Sequence, residues 1–196
     1  MIVLASASPR RRDILSELGV DFTVICADTD ESCNETSPQK FTEELAARKG
    51  RAVYEKMCAT LGKSEADSAI IISADTVVSC DGRILGKPQS FYDAVDMITA
   101  LSGKAHSVVS GIGITVGGIT KTASDTTAVR VDDIPKEKII EYVNSGESMD
   151  KAGAYAIQGK FSVWINGIEG CYFNVVGLPI NALNKLFFEC TGKYLI

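Results

Sequence analysis

The sequence is poor in the residues that build zinc sites and charge-relay triads. It has a single histidine, and its six cysteines include no C-x-x-C pair. We therefore predict no zinc site. A Ser-His-Asp triad would have to use His106, which we interpret as structural because a triad needs two further groups in register. Scattered cysteines in a chain of 196 residues also argue against a disulfide framework, and we interpret them as reduced thiols of a cytosolic protein.

Positive charge and long apolar runs are scarce too. The chain has 20 Lys and Arg against 25 Asp and Glu, a formal charge of -5 and a pI of about 5.0. Such a chain has no global basic field for duplex DNA or anionic membrane. An aromatic content of 7% is low for a nucleic-acid-binding module. No run reaches the ~18 apolar residues of a membrane span, and "MIVLASA" lacks the basic leader of a signal peptide. We expect a cytoplasmic protein without nucleic-acid or membrane partners.

What is present is an alternation of strand and helix signals. Pro9 opens a helix that Gly19 closes, and Ser37-Pro38 opens a long helix that runs to about Leu61. "SFYD" matches a capping pattern at Ser90, and later helices begin at Pro135 and within "LPINALNKLFFECTG".

Strand signals fill the intervals between these helices. "IVLAS", "FTVICA" and "AIIISAD" predict strands, the last ending at Asp75. Hairpins are predicted at Asp81-Gly82, Gly117-Gly118 and Asn166-Gly167. The order predicts an α/β fold with a mixed sheet, helices on its faces and one domain over residues 1–196.

Charged side chains gather where these elements end. Ligands of α/β sheets bind outside the carboxyl ends of strands, and Arg and Lys there suit phosphates. Ser8 and the backbone N–H groups before Arg11 would add a helix N-terminus for the same anion. The candidates are Arg10, Arg11, Arg12, Glu31, Lys49, Asp75, Lys87, Asp150, Lys151 and Gln158.

The acidic candidates cannot bind phosphate directly, because phosphate repels a carboxylate, so their presence needs another explanation. A carboxylate is useful in a polyphosphate site if it holds a divalent cation or takes a proton from water. The combination predicts metal-assisted hydrolysis at phosphorus.

Six stretches resemble, in order, the Maf family of nucleoside triphosphate pyrophosphatases. They are "LASASPRRRDIL", "SADTVV", "GKP", "LSGKAHSVVSGI", "EYVNSGESMDKAGAYAIQG" and "NVVGLPI". The resemblance implies an inosine-triphosphatase-like twisted mixed sheet flanked by helices, with two lobes around a cleft. It also implies cleavage of a nucleoside triphosphate to the monophosphate and pyrophosphate with Mg²⁺ or Mn²⁺, and a homodimer.

The same resemblance assigns roles to residues of this chain. Asp75 matches the proton acceptor, and Glu31 matches an acid near the metal. Positions linked to the choice of base and positions that contact phosphates complete the set. They are Arg10, Thr76 and Gln158 for the base, and Ser8, Arg11, Lys49, Lys87 and Lys151 for the phosphates.

"SPRR", "ADT" and "AYAIQG" resemble the branch of the family that acts on dTTP and UTP. Two alternatives stay open: a 7-methyl-GTP pyrophosphatase, and a regulator of cell division that binds nucleotides without turnover. One departure is Gly50, where relatives more often carry alanine; a helical glycine costs about 1 kcal/mol.

Overall fold

The structure, a computed structural model, describes residues 1–196 and confirms the α/β class. The strands are β1 (Ile2–Leu4), β2 (Phe22–Val24), β3 (Ile70–Cys80), β4 (Arg83–Leu85), β5 (Ala105–Val116), β6 (Ile119–Val131) and β7 (Ile165–Glu169). The α-helices are α1 (Pro9–Glu17), α2 (Pro38–Leu61), α3 (Lys63–Ser68), α4 (Phe91–Leu101), α5 (Lys136–Asn144), α6 (Tyr172–Val176) and α7 (Ile180–Thr191). Short 3-10 helices cover Ala152–Ala154 and Lys160–Trp164.

The strands form one mixed sheet, as predicted, and it has seven strands. Its order is β2-β1-β3-β5-β6-β7, and β4 pairs with β3 outside this path. β1 runs parallel to β2 and to β3, with Ile2 opposite both Phe22 and Ile70. The β3–β4 and β6–β7 pairs are antiparallel.

Local sequence signals place most of the element ends. α1 and α2 each begin at their proline, and the Ser90 hydroxyl accepts the Asp93 N–H at 3.1 Å at the start of α4. At the β3–β4 turn Asp81 and Gly82 have φ values of 49° and 75°. Two successive positive φ values are what a two-residue hairpin turn requires.

The predicted hairpin at Asn166-Gly167 is wrong. Both residues lie inside β7, which pairs with β6, and α6 follows where a second strand was expected. Gly167 lies opposite Arg130, and a Cβ at Gly167 would come within 2.4 Å of Arg130 Nη2. The glycine therefore makes room for a neighbouring side chain rather than for a turn.

Two further expectations need correction. Asp75 does not end its strand, because β3 continues through Thr76 to Cys80. The six-residue helix α3 was not predicted, since "KSEADS" has no apolar periodicity and buries only Ala66.

The chain divides into two compact units, and strands β3, β5 and β6 contribute residues to each. The first unit comprises Met1–Asp75, Ser110–Asp125 and Gly177–Ile196; the second comprises Thr76–Val109 and Thr126–Val176. Each unit has a buried apolar cluster. The first unit's cluster includes Val3, Val53, Met57 and Ile71, and that of the second includes Ile98, Leu101, Val129, Tyr155 and Phe161. No helix combines the length and apolar character that crossing a bilayer requires.

Candidate functional site

Helix α2 lies unusually close to the sheet in the first unit, and this closeness brings Lys49 to β3. The Ser73 hydroxyl on β3 donates to the Ala46 carbonyl on α2 at 2.7 Å. A Cβ at Gly50 would come within 2.5 Å of Thr115 Oγ1, a distance that real Cβ atoms do not reach. Packing therefore explains the glycine at position 50, which directly follows Lys49.

Lys49 joins the two acids that the sequence singles out. Its Nζ is 2.7 Å from Asp75 Oδ1 and 2.8 Å from Glu31 Oε1. The Asp75 side chain is 12% exposed and the Lys49 side chain 18%, whereas Glu31 is 56% exposed. Three candidates from a loop, a helix and a strand therefore meet, with one buried carboxylate and one facing solvent.

Arg11 lies in the same unit and is held by oxygen acceptors. Its Nε donates to the Gly177 carbonyl at 2.8 Å, and its Nη1 donates to the Ala74 carbonyl at 2.9 Å and to Ser6 Oγ at 3.0 Å. Burial lowers the pKa of Arg11, and the charge of Asp75 opposes that shift. The guanidinium therefore ties α1 to the residue before Asp75, so a cation stands beside the buried carboxylate.

The start of α1 presents the remaining candidates of the first unit. Ser8 is the residue before the helix; its N–H donates to Ser6 Oγ at 3.3 Å, and its side chain makes no capping bond. Arg10 is half-buried in the first turn, and Arg12 is exposed. The three arginines thus occupy the predicted first turn, although only Arg11 is fixed by the contacts described above.

The second unit carries the other five candidates, Thr76, Lys87, Asp150, Lys151 and Gln158. Lys151 Nζ donates to the Glu147 carbonyl at 2.6 Å and to Asp150 Oδ1. The Gly153 N–H donates to the Gly86 carbonyl at 3.0 Å, which joins the segment after Lys151 to the residue before Lys87. Lys87 and Gln158 are exposed, and Thr76 is half-buried next to Asp75 on β3.

His106 is structural, as predicted. It is 4% exposed, and its Nε2 lies 2.7 Å from the Tyr155 hydroxyl, with the two rings edge to face at 5.3 Å. Burial lowers the pKa of His106 to about 4, so the ring is neutral at pH 7. The contact anchors Tyr155, which lies in the segment between Lys151 and Gln158.

Sequence reasoning missed several residues that hold the candidates in place. Ser6 accepts hydrogen bonds from both Arg11 and Ser8. Glu147 accepts hydrogen bonds from the Lys151 amine and from the Lys160 N–H. Ser6 lies within the quoted "SASP" and Glu147 within "GES", but a polar residue in a loop carries no signal of its partner.

An open concavity of about 600 Å³ lies elsewhere in the first unit. None of the predicted site residues lines it. Its walls come from the acidic loop, α2 and β6, including Cys33, Lys40, Glu43, Arg48, Arg51 and Thr122. The candidate site is therefore identified by its contacts and not by this concavity.

Few side chains in the structure could bind a divalent cation. No group of three or more His, Cys, Asp or Glu side chains is arranged to hold a metal ion. Two carboxylates, of Glu31 and Asp75, contact the same Lys49 amine. Mg²⁺ commonly binds one or two carboxylates together with substrate phosphates, so these residues fit a cation that arrives with a nucleotide.

Comparison with known proteins decides the family. The family model described as "Maf-like protein" matches residues 1–190. The chain belongs to the Maf family. A Clostridium acetobutylicum relative named dTTP/UTP pyrophosphatase is 45% identical over 189 residues, which cover 94% of this chain and 95% of the relative. A relative of the same name from Thermococcus onnurineus is 44% identical over 186 residues, which cover 95% and 96% of the two chains.

Proposed function

We propose that this Maf protein hydrolyses dTTP and UTP to the nucleoside monophosphate and pyrophosphate. The observation that carries the proposal is the contact of Lys49 with both Asp75 and Glu31. A buried acid, a solvent-facing acid and a cation between them suit hydrolysis of a polyphosphate. The substrate class is supported by the names of the two relatives described above.

Asp75 is proposed as the general base. A carboxylate offers about four lone-pair sites on its two oxygens, and the bond to Lys49 engages Oδ1. That bond holds the carboxylate in one orientation, since Lys49 is itself fixed on α2. Asp75 would take the proton of the water that attacks phosphorus, a role that contributes ~10²–10⁴-fold to a rate.

The cations are proposed to bind the triphosphate. Lys49 and Arg11 stand beside Asp75, where they would offset charge on the phosphates that approach it. Ser8, Lys87 and Lys151 are proposed as further phosphate contacts, and Arg10, Thr76 and Gln158 as residues that select the base.

Glu31 is proposed to hold the divalent cation, Mg²⁺ or Mn²⁺. The Glu31 side chain is more than half exposed, so its carboxylate is accessible to a cation bound to phosphate. It contacts the same Lys49 amine as Asp75, which keeps it close to the proposed base. Such an ion would neutralise charge on the phosphate oxygens.

The test is pyrophosphate release from dTTP, UTP, CTP, GTP and 7-methyl-GTP with Mg²⁺ or Mn²⁺. We expect the highest kcat/KM for dTTP and UTP. Asp75→Asn keeps the size of the side chain but removes the base, so kcat should fall by about 10²–10⁴-fold while nucleotide affinity changes little.

Asp81→Asn is the matched control, because Asp81 is an exposed turn residue whose positive φ asparagine tolerates. Its kcat should equal that of the unmodified protein. Normal turnover in Asp75→Asn would refute the assignment of the base. Nucleotide binding without release of pyrophosphate would favour the regulator, and highest activity on 7-methyl-GTP would favour the other branch.

We also propose that the two units together form a single functional domain. We propose that the protein works in the cytoplasm, because all six cysteines are free thiols. A homodimer is proposed on family resemblance, and sedimentation velocity would decide it.

A further inference from the structure

Gln158 lies in an exposed segment whose backbone is fixed by buried neighbours. Tyr155 is 5% exposed and Phe161 is 1% exposed, and their rings pack with centroids 4.7 Å apart. The Tyr155 hydroxyl also contacts His106. The residues three positions before and three positions after Gln158 are therefore anchored in the core of the second unit.

The Glu147 side chain holds the backbone between Tyr155 and Phe161 at Lys160. Both carboxylate oxygens of Glu147 accept the Lys160 N–H at 3.1 Å. The Tyr142 hydroxyl donates to the Ala154 carbonyl at 3.3 Å and lies 3.5 Å from Glu147 Oε1. Burial, followed by the charge of Glu147, raises the pKa of Tyr142, so its hydroxyl stays protonated and able to donate.

The backbone beside Gln158 is shaped to receive this carboxylate. Gly159 has φ of 140°, and a Cβ there would come within 2.4 Å of Glu147 Oε1. Residues other than glycine are disfavoured at this φ. In addition, the Glu147 carboxylate occupies the space that a Cβ at position 159 would need. Glu147 thus packs directly against the residue that follows Gln158.

Glu147 also reaches the other side of the segment. Its carbonyl accepts a hydrogen bond from Lys151 Nζ at 2.6 Å. The same residue therefore holds the side chain of Lys151 through its backbone and the backbone after Gln158 through its side chain.

We propose that Glu147 is a positioning residue that fixes the Gly159–Lys160 backbone and thereby sets how Gln158 selects the nucleobase. The proposal rests on the proposed function, in which Gln158 contacts the base. Glu147 itself touches no substrate; it removes conformations in which Gln158 could accept the wrong base. Loss of its carboxylate would release the Lys160 N–H and open space beside Gly159.

The test compares base discrimination in Glu147→Ala, Gln158→Ala and the double variant. Discrimination is the ratio of kcat/KM for dTTP to kcat/KM for CTP, and this ratio does not depend on the fraction of folded enzyme. We expect about a tenfold fall of the ratio in each single variant, since selection by hydrogen bonds depends on geometry. The double variant should fall no further than Gln158→Ala, because both changes act through the same contact.

Two further variants separate positioning from a general structural effect. Glu147→Gln keeps one acceptor oxygen for the Lys160 N–H and should restore most of the discrimination. Glu141→Ala removes an exposed glutamate of α5 that pairs with Lys138, and it should leave the ratio unchanged. An unchanged ratio in Glu147→Ala, or effects that multiply in the double variant, would overturn the proposal.

A binding measurement distinguishes this proposal from the proposed activity. The ratio of the dissociation constant for CTP to that for dTTP, measured by calorimetry without divalent metal, needs no turnover. If the unmodified protein releases no pyrophosphate but Glu147→Ala still lowers the binding ratio, the activity is wrong and the positioning role stands. If turnover is normal and neither ratio responds, the positioning role is wrong.

Discussion

The buried histidine predicts a pH dependence of stability that one substitution should remove. His106 is 4% exposed, and burial lowers its pKa from 6.5 to about 4. Between these two pH values the unfolded chain binds one proton more than the folded chain at this residue. The free energy of unfolding therefore falls as the pH falls from 6.5 towards 4, and this contribution levels off below pH 4.

The size of the effect follows from the two pKa values. A shift from 6.5 to about 4 corresponds to about 3 kcal/mol in total, of which about 2 kcal/mol is lost by pH 5. His106→Gln is the suitable variant, because glutamine can keep a hydrogen bond to the Tyr155 hydroxyl and does not titrate.

Urea unfolding of both proteins, followed by far-UV circular dichroism from pH 7.5 to pH 5, measures the effect. Carboxylates titrate alike in the two proteins, so the difference between their unfolding free energies isolates His106. We expect the unmodified protein to lose about 2 kcal/mol relative to His106→Gln over this range. A difference that stays constant from pH 7.5 to pH 5 would refute the argument that the ring is held neutral by burial.

Two further predictions concern packing and capping. Gly50→Ala should lower the melting temperature although it gains about 1 kcal/mol of helix propensity, because overpacking against Thr115 and Ser73 costs about 1–3 kcal/mol. Adding Thr115→Ala should recover stability, and a Gly50→Ala protein more stable than the parent would contradict the packing argument. Ser90→Ala removes the acceptor for the Asp93 N–H and should lower the free energy of unfolding by about 1 kcal/mol in urea; an unchanged value would show that the cap contributes nothing.

The sequence predicted elements well where the signal was local. Pro9 and Pro38 mark helix starts because their fixed φ suits the first turn, and Asp81-Gly82 marks a hairpin because both residues take positive φ. Asn166-Gly167 carries the same local signal, but the hairpin that it predicts does not form. Glycine is needed at position 167 because the Arg130 side chain on the neighbouring strand occupies the space of a Cβ.

In the candidate site too, local patterns identified the residues but not their contacts. Asp75 was expected at the end of the strand "AIIISAD". A carboxylate inside a buried strand is costly without a partner. The structure supplies that partner, Lys49, from a helix that begins far earlier in the chain, so β3 can continue past Asp75. The acids and cations could be named from the sequence, but their pairing could not.

The sequence by itself determined the mixed α/β class, most element ends and the residues able to handle phosphate, because these depend on periodicity, backbone preference and side-chain chemistry. Only the tertiary structure decided which of those residues meet. Lys49 joins Glu31 to Asp75 because glycine at position 50 lets α2 lie against the sheet, and Glu147 reaches Lys160 because Gly159 leaves room for its carboxylate. Such contacts depend on close approach between distant segments, which local sequence patterns do not encode.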